Sequence, residues 1–367
     1  MAAPRTTVWE LQPHTRAKHA IIQRYLQAWI PILTQGGFPN ILYIDGFAGP
    51  GRYAGGEEGS PIIAIRAALE HAARIRGNIL FLFIEERSDR ASVLRECLDE
   101  LVLPENFRIK VAAGEQFVVA FDEVKRFYQE RGRSLPPTFA FIDPFGWTGA
   151  PFSVVRFILA QPSCEIFVTF MYEEINRFLS HPQQPGNFDQ FFGTPDWLEG
   201  LQILIPNHRN RFLHDLYLRQ LRDAGAARYA RSFQMQNEAA LTDYYLFYAT
   251  NNLLGLRKMK EAMWRIDESG EFTFSDATDA NQLVLLGGEP RYDLLAKQLQ
   301  DQFRGKEAAL SQIEEFVLAE TPFRETHYKR VLKAFELSDP PRLTLAAAPK
   351  DRRRGTFPSP AIRVRFS

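Results

Sequence analysis

Three stretches of this chain run from apolar residues into an acid and then a turn. Ile41-Leu42-Tyr43-Ile44 leads into Asp45-Gly46-Phe47-Ala48-Gly49-Pro50-Gly51. Ile79–Ile84 ends in Glu85-Glu86, and Thr138–Ile142 ends in Asp143-Pro144-Phe145-Gly146-Trp147. Carboxylates in such places accept hydrogen bonds from hydroxyls, amines or backbone N–H groups. Glycines beside them allow positive φ and let a backbone pass close to a ligand. The chemistry these types support is recognition of a nucleoside-like molecule. Glu85 or Glu86 would accept from two ribose hydroxyls at once, and strand register decides which of the two points inward. Glu115 follows a further apolar run at Phe107–Val111. Plainer alternatives stand beside each assignment: a tight strand-to-helix turn without a ligand, or first-turn acids favoured by a helix dipole.

The elements that must position these residues alternate along the chain. Apolar strands are expected at 41–44, 79–84, 107–111, 138–142 and 165–170, with helices between them at 61–76, 87–101 and 116–130. Repeated strand, turn and helix with apolar strands predicts an α/β chain whose parallel sheet is covered on both faces, a Rossmann-like doubly wound arrangement. Ligands of such sheets sit at the carboxyl ends of the strands, where all these acids fall. A helix at 15–34 precedes the first strand and carries His14, Lys18 and His19 at its start. A phosphate or substrate contact and a surface cap are both open for these three. Residues 180–210, rich in Pro, Gly, Gln and Asn, are expected as loops with short helices that could cover the site. Glu173, Asn176 and Arg177 could face a pocket or form a solvated helix face.

Length and composition bound the rest. The 367 residues suggest two domains; 45% hydrophobic and 24% charged residues fit a protein with a large core. The formal charge is zero, so any nucleic-acid surface must be local. Two cysteines, Cys97 and Cys164, are too few for a disulfide framework or a structural zinc site, and no metal is expected. The sequence predicts no signal peptide and no membrane span, which makes the cytoplasm the expected location.

The run from Asp45 to Gly51 resembles the first motif of class I S-adenosylmethionine-dependent methyltransferases. That resemblance implies that Asp45, Gly46, Phe47, Gly49 and Gly51, with Glu85 or Glu86 and Glu115, hold the cofactor. It also fits two strands expected at 229–235 and 244–250, since that class ends its sheet with an antiparallel seventh strand between the fifth and sixth. Residues 52–59 depart from the pattern by delaying the helix. Asp143-Pro144-Phe145-Gly146 resembles the Asp-Pro-Pro-Tyr motif of amino-methyltransferases. This implies that Asp143 orients a target amine and that Phe145 or Trp147 stacks on a flipped base. Together with His14-Thr15-x-x-Lys18-His19 and Lys258–Trp264, these motifs make nearly the whole chain similar to the bacterial three-Cys-motif partner proteins. That likeness implies a neighbouring three-Cys-motif protein of iron–sulfur type as partner.

Beyond residue 286 the character changes. Helices are expected at 291–303, 308–320 and 324–335, then strands at 342–345 and 362–366, the pattern of a winged helix. Residues 323–367 are locally basic, and Lys329, Arg330, Lys333, Lys350, Arg352, Arg353 and Arg354 are the expected nucleic-acid contacts. The expectation is therefore a methyltransferase-type domain over 1–285 and a basic winged-helix domain over 286–367. Methyl transfer to a nucleic-acid base amine is the leading function. A non-catalytic nucleic-acid-binding partner with a degenerate methyltransferase fold is the alternative.

Overall fold

A computed structural model describes residues 6–268, 271–276, 290–346 and 352–367. The first helix, α1 (Pro13–Gln35), opens on a proline, whose fixed φ suits a first helical turn. The chain then alternates through β1 (Asn40–Asp45), α2 (Ser60–Leu69), β2 (Asn78–Glu85), α3 (Ser88–Asp99), β3 (Phe107–Ala113), α4 (Phe117–Gln129), β4 (Thr138–Ile142), α5 (Phe152–Leu159) and β5 (Cys164–Phe170). Three helices follow: α6 (Tyr172–Phe178), α7 (Pro185–Phe192) and α8 (Pro206–Arg222). Next come β6 (Tyr229–Gln236), β7 (Thr242–Thr250), α9 (Leu253–Met263) and the short β8 (Thr273–Ser275).

These strands form one sheet in the order β3-β2-β1-β4-β5-β7-β6-β8. The first five are mutually parallel, and β7 lies antiparallel between β5 and β6. Successive strand residues face opposite sides. Tyr43, Phe81, Phe139 and Phe167 therefore pack on one face against α1, α2 and α9, while Ile44, Leu82, Ile142 and Val168 pack on the other against α4, α5 and α8. Aromatic rings fill the first face: Tyr43 stacks with Phe139 at 6.1 Å and Phe141 with Phe167 at 6.1 Å. Much of the phenylalanine content is accounted for here, as packing between sheet and helices.

Two polar contacts fasten α1 to opposite ends of the sheet. Lys18 and Tyr25 are seven residues apart and share a face of the helix. Lys18 Nζ donates to Asp143 Oδ2 at 2.5 Å at the carboxyl edge. The Tyr25 hydroxyl donates to Glu165 Oε2 near the amino edge, where Thr250 Oγ1 also donates to Glu165 at 2.9 Å. Segment 180–205 does not cover the carboxyl-edge hollow. Phe188, Phe191, Phe192 and Trp197 bury themselves in the second core cluster, so this segment thickens a helical layer instead.

The C-terminal part consists of α10 (Tyr292–Phe303), β9 (Glu307–Ala309), α11 (Leu310–Glu320), α12 (His327–Leu337), β10 (Leu343–Leu345) and β11 (Arg363–Phe366). Its strands pair antiparallel in the order β10-β11-β9. The expected boundary at 285/286 and Lys350 both lie outside the described residues. Lys260 of α9 joins the two parts. It is fully buried, and its Nζ donates to the carbonyls of Val317, Leu318 and Thr321 at 2.9, 3.0 and 2.8 Å. These are carbonyls at the end of α11, where a helix lacks its own donors. Lys260→Met keeps the stem but leaves three acceptors without this donor. Urea denaturation is expected to show a loss of about 2–3 kcal/mol; an unchanged midpoint would mean that water replaces the ammonium.

Candidate functional site

At the carboxyl edge, the ends of β1, β2, β3 and β4 surround a hollow of about 290 Å3. Gly46, Phe47, Glu85, Glu86, Glu115 and Phe145 line it, with Arg87, Arg90, Pro144 and Phe117 completing the wall. The two acids at the end of β2 face different ways. Glu85 turns inward and is buried, accepting from Gly49 N at 2.9 Å and Arg87 N at 2.8 Å. It organises the loop, and burial pushes its carboxyl above the usual value. Glu86 is exposed, lines the hollow and accepts from Gln116 Nε2 at 2.9 Å. Glu115 lines the hollow with its Oε2 buried and without a hydrogen-bond partner.

The glycines serve close packing as much as ligand approach. A Cβ on Gly46 would stand 2.8 Å from the Phe117 ring, and one on Gly51 would stand 2.8 Å from Leu94 Cδ1. Gly49 and Gly51 also adopt φ of 64° and 76°, which a side chain disfavours. Neither of the two lines the hollow. Asp45 lies beneath it, fully buried, with Oδ1 accepting from Phe47 N at 3.3 Å and Oδ2 unpartnered. Burial pushes its pKa up to about 7, against the pull of the Ser60 hydroxyl.

Two expectations at the end of β4 need correction. Asp143 is not a free acceptor, because Lys18 Nζ donates to one oxygen and Thr169 Oγ1 to the other at 2.5 Å. The competing amine comes from α1, 125 residues away in the sequence. Trp147 does not stack at the site either. It is buried in the second core cluster, 5.1 Å from the Phe188 ring and 5.4 Å from Phe178. Phe145 remains, 37% exposed and lining the hollow.

His14, Lys18 and His19 are buried, so none of them is a surface cap. His14 Nδ1 lies 2.8 Å from Asp276, and Lys18 sits over the rings of Tyr244 and Phe141 at 5.5 and 6.0 Å. Burial, helped by the Lys18 charge, drives the His19 pKa down to about 3 and keeps the ring neutral. Arg90 and Trp9 are residues of this region that no motif marks, and the pairing of Lys18 with Asp143 is likewise absent from the motifs. A signal existed for Lys18, which falls on the stripe of Ile21, Ile22 and Tyr25 that packs on the sheet. A second, more open hollow of about 870 Å3 lies between α6, α8 and the β6–β7 hairpin. Glu173 and Asn176 line it, whereas Arg177 pairs with Glu174 at 2.5 Å.

The C-terminal cations divide. Lys329, Arg330 and Lys333 are exposed on α12, and Arg353 is exposed on the turn before β11. Arg330 lies 4.3 Å from the Tyr292 ring. Arg352 is not the free nucleic-acid contact expected but an internal one: its guanidinium grips the Glu336 carboxylate at 2.8 and 2.5 Å, with both side chains buried. Arg354 donates to the Glu336 carbonyl at 2.8 Å. Glu336 thus holds Arg352 through its carboxylate and Arg354 through its backbone carbonyl. Among the described residues, no group of three or more His, Cys, Asp or Glu could hold a metal ion, and no helix is long and apolar enough to cross a membrane.

No protein-family model and no curated protein matches this chain. Among solved structures it is similar to an O-methyltransferase from Bacillus cereus in complex with SAH, at 17% identity and a TM-score of 0.34, covering 62% of this chain and 80% of that one. It is also similar to a putative O-methyltransferase from Klebsiella pneumoniae, at 15% identity and a TM-score of 0.31, covering 63% and 80%. A third similar structure is a protein from Legionella pneumophila, at 10% identity and a TM-score of 0.37, covering 64% and 85%. The strand order and directions, five parallel strands with β7 reversed between β5 and β6, make this an α/β Rossmann-like fold with a large mixed sheet, the arrangement expected from the resemblance to class I methyltransferases.

Proposed function

We propose that the carboxyl-edge hollow binds S-adenosylmethionine and that the protein passes its methyl group to a nucleic-acid base. One observation carries the cofactor reading: the buried, unpartnered Oε2 of Glu115 in a hollow that Glu86 also lines. Leaving such an acceptor unmade costs about 1–3 kcal/mol, so the place calls for a donor, and the adenine amino group is one. Glu86 would take the ribose hydroxyls, and Phe47, Phe117 and Phe145 give a base apolar walls. When bound, the cofactor supplies an electrophilic methyl group on a sulfonium. Glu86 and Glu115 would hold it as that methyl passes to the acceptor nitrogen, which would release its proton to solvent. The chain contributes position and exclusion of water. Phe145, half-exposed at the rim of the hollow, would stack on an acceptor base; Asp143, already engaged, holds α1 instead.

The C-terminal helices and three-stranded sheet fit a winged-helix module, with Lys329 and Lys333 of α12 and Arg353 of the turn placed to meet phosphates. A second reading has its own support. Asp143 is closed off by Lys18, and Trp9 covers Gly49, as suits a non-catalytic nucleic-acid-binding partner of a three-Cys-motif protein. Calorimetric titration separates the readings. S-adenosylmethionine should bind with micromolar affinity, at least ~10-fold weaker in Glu115→Ala, and labelled methyl should appear on a DNA or RNA oligonucleotide. Binding without transfer favours the second reading; no binding to the wild type rejects the cofactor site. Oligonucleotide affinity should fall with salt, and Lys329→Glu with Lys333→Glu should reduce the log–log slope by roughly 2. An unchanged slope removes α12 from the nucleic-acid surface.

A further inference from the structure

Before α1 begins, residues 6–12 cross the carboxyl edge as a strap. Thr7 Oγ1 donates to Asp89 Oδ2 at 2.6 Å, Arg90 Nη2 donates to the Thr6 carbonyl at 3.1 Å, and Ala54 N donates to the Trp9 carbonyl at 2.8 Å. The Trp9 ring lies over Gly49, where a Cβ would stand 3.5 Å from its Cη2. The Arg90 guanidinium sits 4.7 Å from the indole and 5.6 Å from the Phe145 ring. Trp9 also meets Phe145 edge-on at 5.6 Å and Tyr53 edge-on at 5.8 Å. One indole thus ties together the loops after β1 and β4 and the start of α3.

The strap changes what the hollow can hold. At about 290 Å3 it is at the lower limit of ligand pockets. It reaches Gly46 and Phe47 but not Gly49, which Trp9 covers, or Gly51, which Leu94 fills. The geometry points to Trp9 as a specificity-determining residue: with the strap seated, the hollow takes a nucleoside, and a ligand whose amino-acid arm crosses Gly49 must displace the indole. This rests on the nucleoside reading of the site. Arg90 and Phe145 belong both to the wall of the hollow and to the seat of Trp9, so ligand and strap are linked. A ligand that needs the strap unseated binds with its affinity reduced by the fraction of molecules in that state.

The test compares two probes on the full chain: 5′-methylthioadenosine, which lacks the amino-acid arm, and S-adenosylhomocysteine, which carries it. Trp9→Ala should tighten S-adenosylhomocysteine by ~10-fold or more and change 5′-methylthioadenosine by less than ~3-fold. Thr7→Val, which removes one seat bond and keeps the indole, should shift S-adenosylhomocysteine the same way by a smaller factor. It decides the matter if Trp9→Ala does not fold. The proposal is overturned if 5′-methylthioadenosine binds but S-adenosylhomocysteine is unchanged or weakened in the folded variants. If neither probe binds the wild type or a variant, the nucleoside site and the strap's role fall together.

Discussion

Lys18→Met is expected to lower the unfolding free energy by about 3–5 kcal/mol, with the lower end favoured because Asp143 keeps 23% side-chain exposure. Methionine preserves the stem that packs over Tyr244 and Phe141, so the loss isolates the charge. What remains is a carboxylate facing a largely apolar edge, with Thr169 as its remaining hydrogen-bond partner. Breaking a buried pair from one side is harsher than removing both members, because it strands the other charge. Lys18→Met combined with Asp143→Asn should therefore recover most of the loss, since Asn can still accept from Thr169. Urea midpoints at constant m-value measure both. A loss under ~1 kcal/mol in the single variant would show that water already satisfies Asp143, and the contact would then not fasten α1.

How much of this was readable in the sequence depends on the range of the forces involved. The β4 strand at Thr138–Ile142 and the end of β1 at Asp45 were legible because apolar runs and glycine turns are local signals. The antiparallel β7 was legible through the polar turn before Thr242. The short strands β8 and β9 were not, because three residues carry too little pattern and exist by pairing with β6 and β11. Helix α7 was hidden by a composition that reads as loop: its Phe188, Phe191 and Phe192 become helical by packing on Trp197, Phe170 and Tyr217. The site followed the same rule. Glu85, Glu86 and Glu115 sit where strand ends put them. Asp143 and Arg352 were misjudged because Lys18 and Glu336 reach them from other elements, and charge pairing across the fold leaves no mark in a local motif. Trp9 lies before any periodic element, and only its contacts with Gly49, Arg90 and Phe145 reveal its place.

Asp45 makes stability depend on pH with a sign opposite to the usual surface acid. Its folded pKa is raised to about 7 from an ordinary 3.8, chiefly by burial. Between those values the folded chain holds a proton that the unfolded chain releases. The stabilisation is fully present below about pH 3.8 and is lost as pH rises through 7. A shift of about three pH units corresponds to about 4 kcal/mol. Asp45→Asn keeps the hydrogen-bonding shape and removes the proton. Relative to the wild type, the variant should therefore gain on the order of 4 kcal/mol of unfolding free energy between pH 4 and pH 8. Glu165, also raised to about 7 by burial, contributes equally to both proteins and cancels in the difference. Denaturant titrations of the two proteins at pH 4.5, 6 and 7.5 give the comparison. Parallel curves would place the Asp45 proton elsewhere. A cationic ligand above Phe47 favours the ionised carboxyl, so binding near pH 6 should expel a proton. Calorimetric heats that vary with the ionisation enthalpy of the buffer would show it, and Asp45→Asn should abolish that variation while the neutral 5′-methylthioadenosine produces none.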